Sequence, residues 1–225
     1  MTDKPIIFSG PMVRAIIDGR KTMTRRVLKP QPDPTLPAAG CELVEGKWCL
    51  LSGWDGSICG IVNVPYAIGD RLWAREGCLF TPALITPDGE DGMTAYHPSV
   101  WYRADGDCPR QNDYTFSRSS RHMPKWASRL TLIVEGVKVE RLHDISEEDA
   151  KAEGAHRRGR IGDDPMHPEW TMTGDGWRND TPLGAFKFFW DSINAKRGYG
   201  WSENPWVVAV SFRPVAANID RMEDE

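Results

Sequence analysis

Arg129-Leu130-Thr131-Leu132-Ile133-Val134-Glu135-Gly136-Val137-Lys138-Val139-Glu140-Arg141-Leu142 is the stretch on which the fold turns. Apolar residues recur at every second position at Leu130, Leu132 and Val134, then again in the opposite phase at Val137 and Val139. A period of two marks a strand with one buried face. The change of phase at Glu135-Gly136 predicts a bulge or a turn, and so one long bent strand or a strand pair. Working outward, Arg71 to Glu76 reads as a strand with Leu72 and Ala74 on one face, Arg75 on the other and Glu76 at its end. Trp206 to Phe212 reads as the last strand, and Pro5 to Ser9 as a short buried one. Three short helices punctuate these strands. Pro11 to Asp18 has proline in its first turn, Gly19 after its end and Met12, Ala15 and Ile16 as its buried stripe. The second is capped by Ser146, has Glu147, Glu148 and Asp149 at its positive end and stops at Gly154. The third is capped by Thr181, opens with Pro182 and runs to about Asn194. Several strands, three short helices and no strand-helix-strand rhythm predict an α+β chain built on a small mixed β-barrel, not a doubly wound sheet.

The segments between these elements are long. Four prolines between Lys29 and Gly40 forbid a helix or a central strand there. Cys41 to Val64 reads as one or two hairpins, with turn signals at Glu45-Gly46-Lys47 and Trp54-Asp55-Gly56. Phe80 to Lys125 is poor in periodicity, with a short strand at Trp101-Tyr102-Arg103, and Ala155 to Asp180 is irregular. The 225 residues are therefore read as a single domain, 1–225, with insertions at about 30–64, 81–128 and 155–180.

Composition narrows the function. A net charge of −4 excludes a generally basic nucleic-acid coat. Between Arg14 and Lys29, however, there is an excess of five positive charges, and Arg118, Arg121, Lys125 and Arg129 form a second basic stretch. That distribution suits a small anionic or nucleotide-like ligand in one cleft better than a long duplex track. The five cysteines are odd in number and form no C-x-x-C pair, which argues against a structural zinc site and a secreted disulfide framework. His143, His156 and His167 lack ligand spacing, so no metal and no cofactor is expected. No G-x-S-x-G elbow is present. No apolar run reaches membrane-spanning length and the N-terminus does not open a signal peptide, so the expected location is the cytoplasm.

Chemistry concentrates in Gly19-Arg20-Lys21-Thr22-Met23-Thr24-Arg25-Arg26. A helical or tightly coiled turn here would put Lys21 and Thr24 on the same side, with a strand beginning at Val27-Leu28. An amine beside a hydroxyl is the minimum arrangement for an activated oxygen nucleophile. Arg25 and Arg26 add forks suited to phosphate or carboxylate.

Gly19, Lys21, Thr24 and Arg26 resemble the G-x-K-x-x-E-x-R signature of the ASCH domain, a branch of the PUA-like β-barrel superfamily. Threonine in place of the glutamate resembles the ASCH members that act as N4-acetylcytidine amidohydrolases. Gly69-Asp70-Arg71-Leu72-Trp73-Ala74-Arg75-Glu76 fits the family segment G-D-x-L-x-x-R-E. The resemblance is good over residues 5–29 and 66–80 and looser over 129–154 and 186–213. It implies a PUA-like barrel with a catalytic trio of Lys21, Thr24 and Glu76. The implied activity is removal of an acyl group from N4-acylated cytidine or a related modified pyrimidine nucleoside. Lys21 would be the base or the oxyanion stabiliser. Glu76 would shuttle a proton or hydrogen-bond the pyrimidine, and a salt bridge to Arg26 or Arg75 is its purely structural reading. Arg25, Arg26, Phe8 and Trp73 are substrate-binding candidates, with Tyr66 and Trp126 as further aromatic faces. The overall layout looks more like long ASCH-type proteins of phages and prophages. The competing expectations are an ASCH module that binds single-stranded RNA or a nucleotide without catalysis, a nuclease variant of it, and a phage accessory protein.

Overall fold

The computed structural model describes residues 2–81, 84–88, 92–96, 99–106, 116–157, 169–173 and 179–222. In chain order its strands and α-helices are β1 (Asp3–Ile7), α1 (Gly10–Ile17), β2 (Met23–Val27), β3 (Ala38–Val44), β4 (Lys47–Ser52), β5 (Ile58–Val62), β6 (Arg71–Arg75), β7 (Cys78–Thr81), β8 (Leu84–Asp88), β9 (Gly92–Tyr96), β10 (Ser99–Tyr102), β11 (Phe116–Arg118), β12 (Thr131–Arg141), α2 (Glu147–Ala152), β13 (His156–Arg157), β14 (Trp170–Thr171), α3 (Pro182–Asn194) and β15 (Trp206–Val215). The chain is α+β, mostly sheet with few helices.

The expected bent strand is β12, and it is the spine. Five strands lie in the order β1-β6-β12-β15-β2. β1 runs parallel to β6 and the other pairs are antiparallel. Val134 pairs with Phe212 but Gly136 pairs with Ser211, so the bulge falls at Glu135, where the phase of the sequence changes. Gly136 leaves room for the Ser211 hydroxyl, since a Cβ there would come 2.5 Å from Ser211 Oγ and the serine would have to shift. Beyond the bulge β12 continues along β15 alone, while its first residues, Thr131 to Ile133, also pair with β6. Leu72, Leu132, Val134, Val139, Val208 and Phe212 are buried in the main core, which α1 closes with Met12, Val13 and Ile16 and α3 with Phe186 and Trp190.

Two expectations are corrected. Met23–Val27 is a strand paired with β15, so the basic stretch is a sheet edge and not a coiled turn, and Val27 ends that strand where one was expected to begin. Apolar neighbours on β15 decide this over the local charge, because strand preference follows the surface a residue packs on. The sheet is also open: β1 and β2 are its two edges, and no ladder joins them among the described residues. A side chain spans the gap instead, since Arg26 Nη2 on β2 donates to the Ile7 carbonyl on β1 at 2.7 Å.

The stretches read as insertions carry further small sheets. β3-β4-β5 is the expected hairpin region, with Glu45 and Gly46 both at positive φ in its first turn. Residues 81–128 hold more strand than expected, as β10-β7-β11 and the β8-β9 hairpin, because antiparallel partners supply the order that periodicity does not reveal. Cys78, Phe80, Met123 and Ala127 form a second small core there. No helix of the described residues is long and apolar enough to cross a membrane. Cys41, Cys49, Cys59 and Cys78 are free thiols, and no metal-ligating cluster occurs among the described residues. Cys108 and His167 lie outside them.

Candidate active site

The site is assembled where α1, β2 and α2 meet. α1 ends at Asp18, and Gly19 turns the chain in the left-handed region at φ 71°. The N–H groups of Arg20 and Lys21 then both donate back to the Ala15 carbonyl, and the Thr22 N–H donates to the Ala152 carbonyl at the end of α2. This docking carries Lys21 under Glu153, the residue that follows α2. The Ser146 hydroxyl caps α2 by accepting from the Asp149 N–H, and Gly154 follows the helix at φ 109°, where a Cβ would lie 3.6 Å from Lys21 Cβ.

Lys21 is fully buried, and its ammonium donates to the Met23 carbonyl at 2.7 Å, the Glu153 carbonyl at 2.9 Å and Glu153 Oε2 at 2.6 Å. Burial pushes its pKa below the ordinary lysine value against the pull of Glu153, and Arg26 and Arg25 push the same way as burial. The other oxygen, Glu153 Oε1, is buried without a hydrogen bond and lies 3.6 Å from Arg25 Nη1. Thr24 is buried and its hydroxyl makes no hydrogen bond among the described residues.

Consecutive strand residues face opposite ways, so Arg25 and Arg26 part company. Arg25 is taken up by carboxylates: Nε and Nη2 donate to Glu140 Oε1 at 3.0 and 2.7 Å, and Nη2 also donates to Asp149. Burial would lower its pKa, but Glu153, Glu140 and Asp149 together raise it. Arg26 stays half-buried with its guanidinium 5.1 Å from the Phe8 ring, and desolvation lowers its pKa.

Thr24, Arg25, Arg26 and Glu153 line a cavity of about 210 Å³. Its opposite wall is the apolar face of α3, made by Phe186, Phe189, Trp190 and Ile193, and exposed Lys29 and Arg197 also border it. Such a space combines a flat apolar wall with a few polar groups, which is how small-molecule sites are built.

Of the expected trio, only Thr24 lines this cavity; Lys21 lies behind it on Glu153, which does line it, and Glu76 is paired with Arg129. Glu76 is buried with its carboxylate on Arg129, at 2.9 Å to Nε and 3.1 Å to Nη2, and does not line the cavity. Burial raises its pKa against the pull of Arg129. The salt bridge expected to Arg26 or Arg75 is made to Arg129 instead, which also binds Asp105 and stands 3.9 Å over the Tyr102 ring. Phe8 and Trp73 are core residues outside the cavity lining, Phe8 against Phe212 and Trp73 under the Arg75 guanidinium. Tyr66 packs on the main core, and Trp126 is exposed against Phe80. The residues sequence reasoning missed are Glu153 and the α3 aromatics. The only signal for Glu153 was its position before the helix-ending Gly154.

The chain matches no family model, no curated protein and no solved structure.

Proposed function

We propose that the protein is an amidohydrolase that removes an acyl group from N4 of cytidine or a related modified pyrimidine nucleoside, with Thr24 as nucleophile. The observation that carries this is a buried lysine-carboxylate pair, Lys21 with Glu153, next to a threonine hydroxyl left unbonded on a cavity wall. The lysine and threonine fit the ASCH resemblance, and the carboxylate role passes from Glu76 to Glu153. In the drawn state all three ammonium protons are donated. Lys21 becomes a base when its ammonium loses a proton, which burial favours, and its free amine, held by Glu153, then takes the Thr24 proton. Thr24 Oγ bonds to the acyl carbon, and Arg26 faces the developing oxyanion. Collapse breaks the bond to N4, which takes up a proton from the pair, and water releases the acyl group from Thr24 as the acid. The α3 wall receives the pyrimidine.

The test is release of cytidine from N4-acetylcytidine. Lys21→Ala, Thr24→Ala and Glu153→Gln should each lower kcat/KM by roughly 10²-fold or more. No release from folded wild-type protein sinks the hydrolase.

A second reading, single-stranded RNA binding, is supported by one surface. Phe116 and Trp126 are exposed on either side of Phe80, and the Arg118 guanidinium lies 5.5 Å from the Phe116 ring. Aromatic faces among cations suit stacked bases. Loss of oligonucleotide binding in Phe116→Ala and Trp126→Ala, with a steep salt dependence in the wild type, would favour it.

A further inference from the structure

We infer that the ligand of the Thr24 cavity carries a phosphate, so that the site takes a pyrimidine nucleoside monophosphate in preference to the free nucleoside. This rests on reading the cavity as a pyrimidine site, and not on turnover. The charges around the cavity fall into two groups. Inside, Lys21 and Arg25 are balanced by Glu153, Glu140 and Asp149. At the border, Lys29 and Arg197 make no ion pair with a carboxylate of the described residues, and Arg26, which donates to the Ile7 carbonyl and feels the Glu153 charge, adds a third cation. Each comes from a different place in the chain: the β2 strand, the segment after it, and the turn after α3.

Arg197 alone has a plainer account, since a cation after a helix suits the negative end of its dipole. That does not explain why Lys29 converges on it from the other wall. The Lys29 ammonium is held 5.2 Å over the ring of Tyr199, another lining residue, which fixes the charge at the border. Size points the same way. A cavity of about 210 Å³ is smaller than the roughly 300–1,000 Å³ that encloses a drug-sized ligand. It admits a base and part of its sugar, and leaves the 5′ substituent at the border, where the free cations are. An arginine fork and an ammonium are the donors that recognise a phosphate.

Cytidine and cytidine 5′-monophosphate are products of the proposed reaction, so neither is turned over, and their binding to the full chain is measured by calorimetry at low salt. The monophosphate should bind about tenfold more tightly or better, a difference of about 1.4 kcal/mol, because its phosphate adds charge-assisted hydrogen bonds. The preference should shrink as salt is added and vanish in the folded double variant Lys29→Ala, Arg197→Ala. Equal affinities, no binding of either, or a preference that survives the double variant would overturn the assignment. So would a 5′-phosphorylated oligonucleotide that binds far more tightly than the monophosphate, because the occupant would then be a strand. A monophosphate preference without release of cytidine from N4-acetylcytidine sinks the hydrolase alone and leaves the phosphate site standing.

Discussion

Two buried glutamates, 76 and 153, compete for one role, and their partners separate them. Glu153 neutralises a lysine that has no other carboxylate and presents a second oxygen without a hydrogen bond. Glu76 holds Arg129, which keeps Asp105 when Glu76 is changed. Glu76→Gln should therefore keep kcat for N4-acetylcytidine within about twofold and cost on the order of 1 kcal/mol in urea unfolding. Glu153→Gln should lose the rate. A collapse of kcat in Glu76→Gln with an active Glu153→Gln would reverse the assignment. The pH profile adds a sign. A base acts when deprotonated, so a lysine held below its ordinary 10.5 gives a kcat/KM that rises with pH through an apparent pKa under that value, belonging to the Lys21–Glu153 pair. A rate flat across that range would remove Lys21 as base. Lys21 and Thr24 could be proposed from the sequence because one short segment, 19–26, concentrates an amine, hydroxyls and guanidiniums. Glu153 could not, because it meets Lys21 across 132 residues through the docking of α1 on α2, and no local pattern encodes that contact.

Strands declared themselves where one face is buried and hid where order comes from a partner. β12 could be read down to its bulge from Leu132, Val134, Val137 and Val139. β2 could not, because Thr24, Arg25 and Arg26 interrupt any apolar alternation and only β15 makes them a strand. The seam between β1 and β6 shows how a parallel edge pair is held. Asp70, buried just before β6, accepts hydrogen bonds from the Thr2 N–H and hydroxyl, the Ala67 N–H and the Lys4 ammonium. Burial alone would raise its carboxyl, but these donors outweigh that and hold it at about 2. A depressed carboxyl stabilises the fold above the unfolded value of 3.8 and ceases to do so as pH falls through 3.8 towards 2. Asp70→Asn should thus be less stable than wild type by on the order of 2 kcal/mol at pH 7. The gap should close as the pH is taken down to about 2, read by denaturant unfolding across pH. A gap independent of pH would mean that Asn fails through lost geometry and not lost charge.

For the molecule as a whole, the question is whether the segment 30–64 is a separate body or part of the core. Its sequence, rich in proline and turn signals, reads as an appendage. The structure gives it a fully buried residue, Leu50 of β4, inside the same core as Leu132 of β12, with Trp48, Leu36 and Val62 packed around it. A leucine so placed costs about 2–5 kcal/mol when truncated to alanine. If the segment shares the core, Leu50→Ala and Leu132→Ala should each move one cooperative transition, and circular dichroism and tryptophan fluorescence should report the same midpoint for both variants. If the segment stands alone, Leu50→Ala will split off an early transition that leaves the main one in place and leaves ligand binding at the Thr24 cavity unchanged. Coincident transitions would bind the added sheet to the same cooperative unit as the candidate active site, because Leu50 shares its core with Met12 and Phe186, two residues that line the cavity.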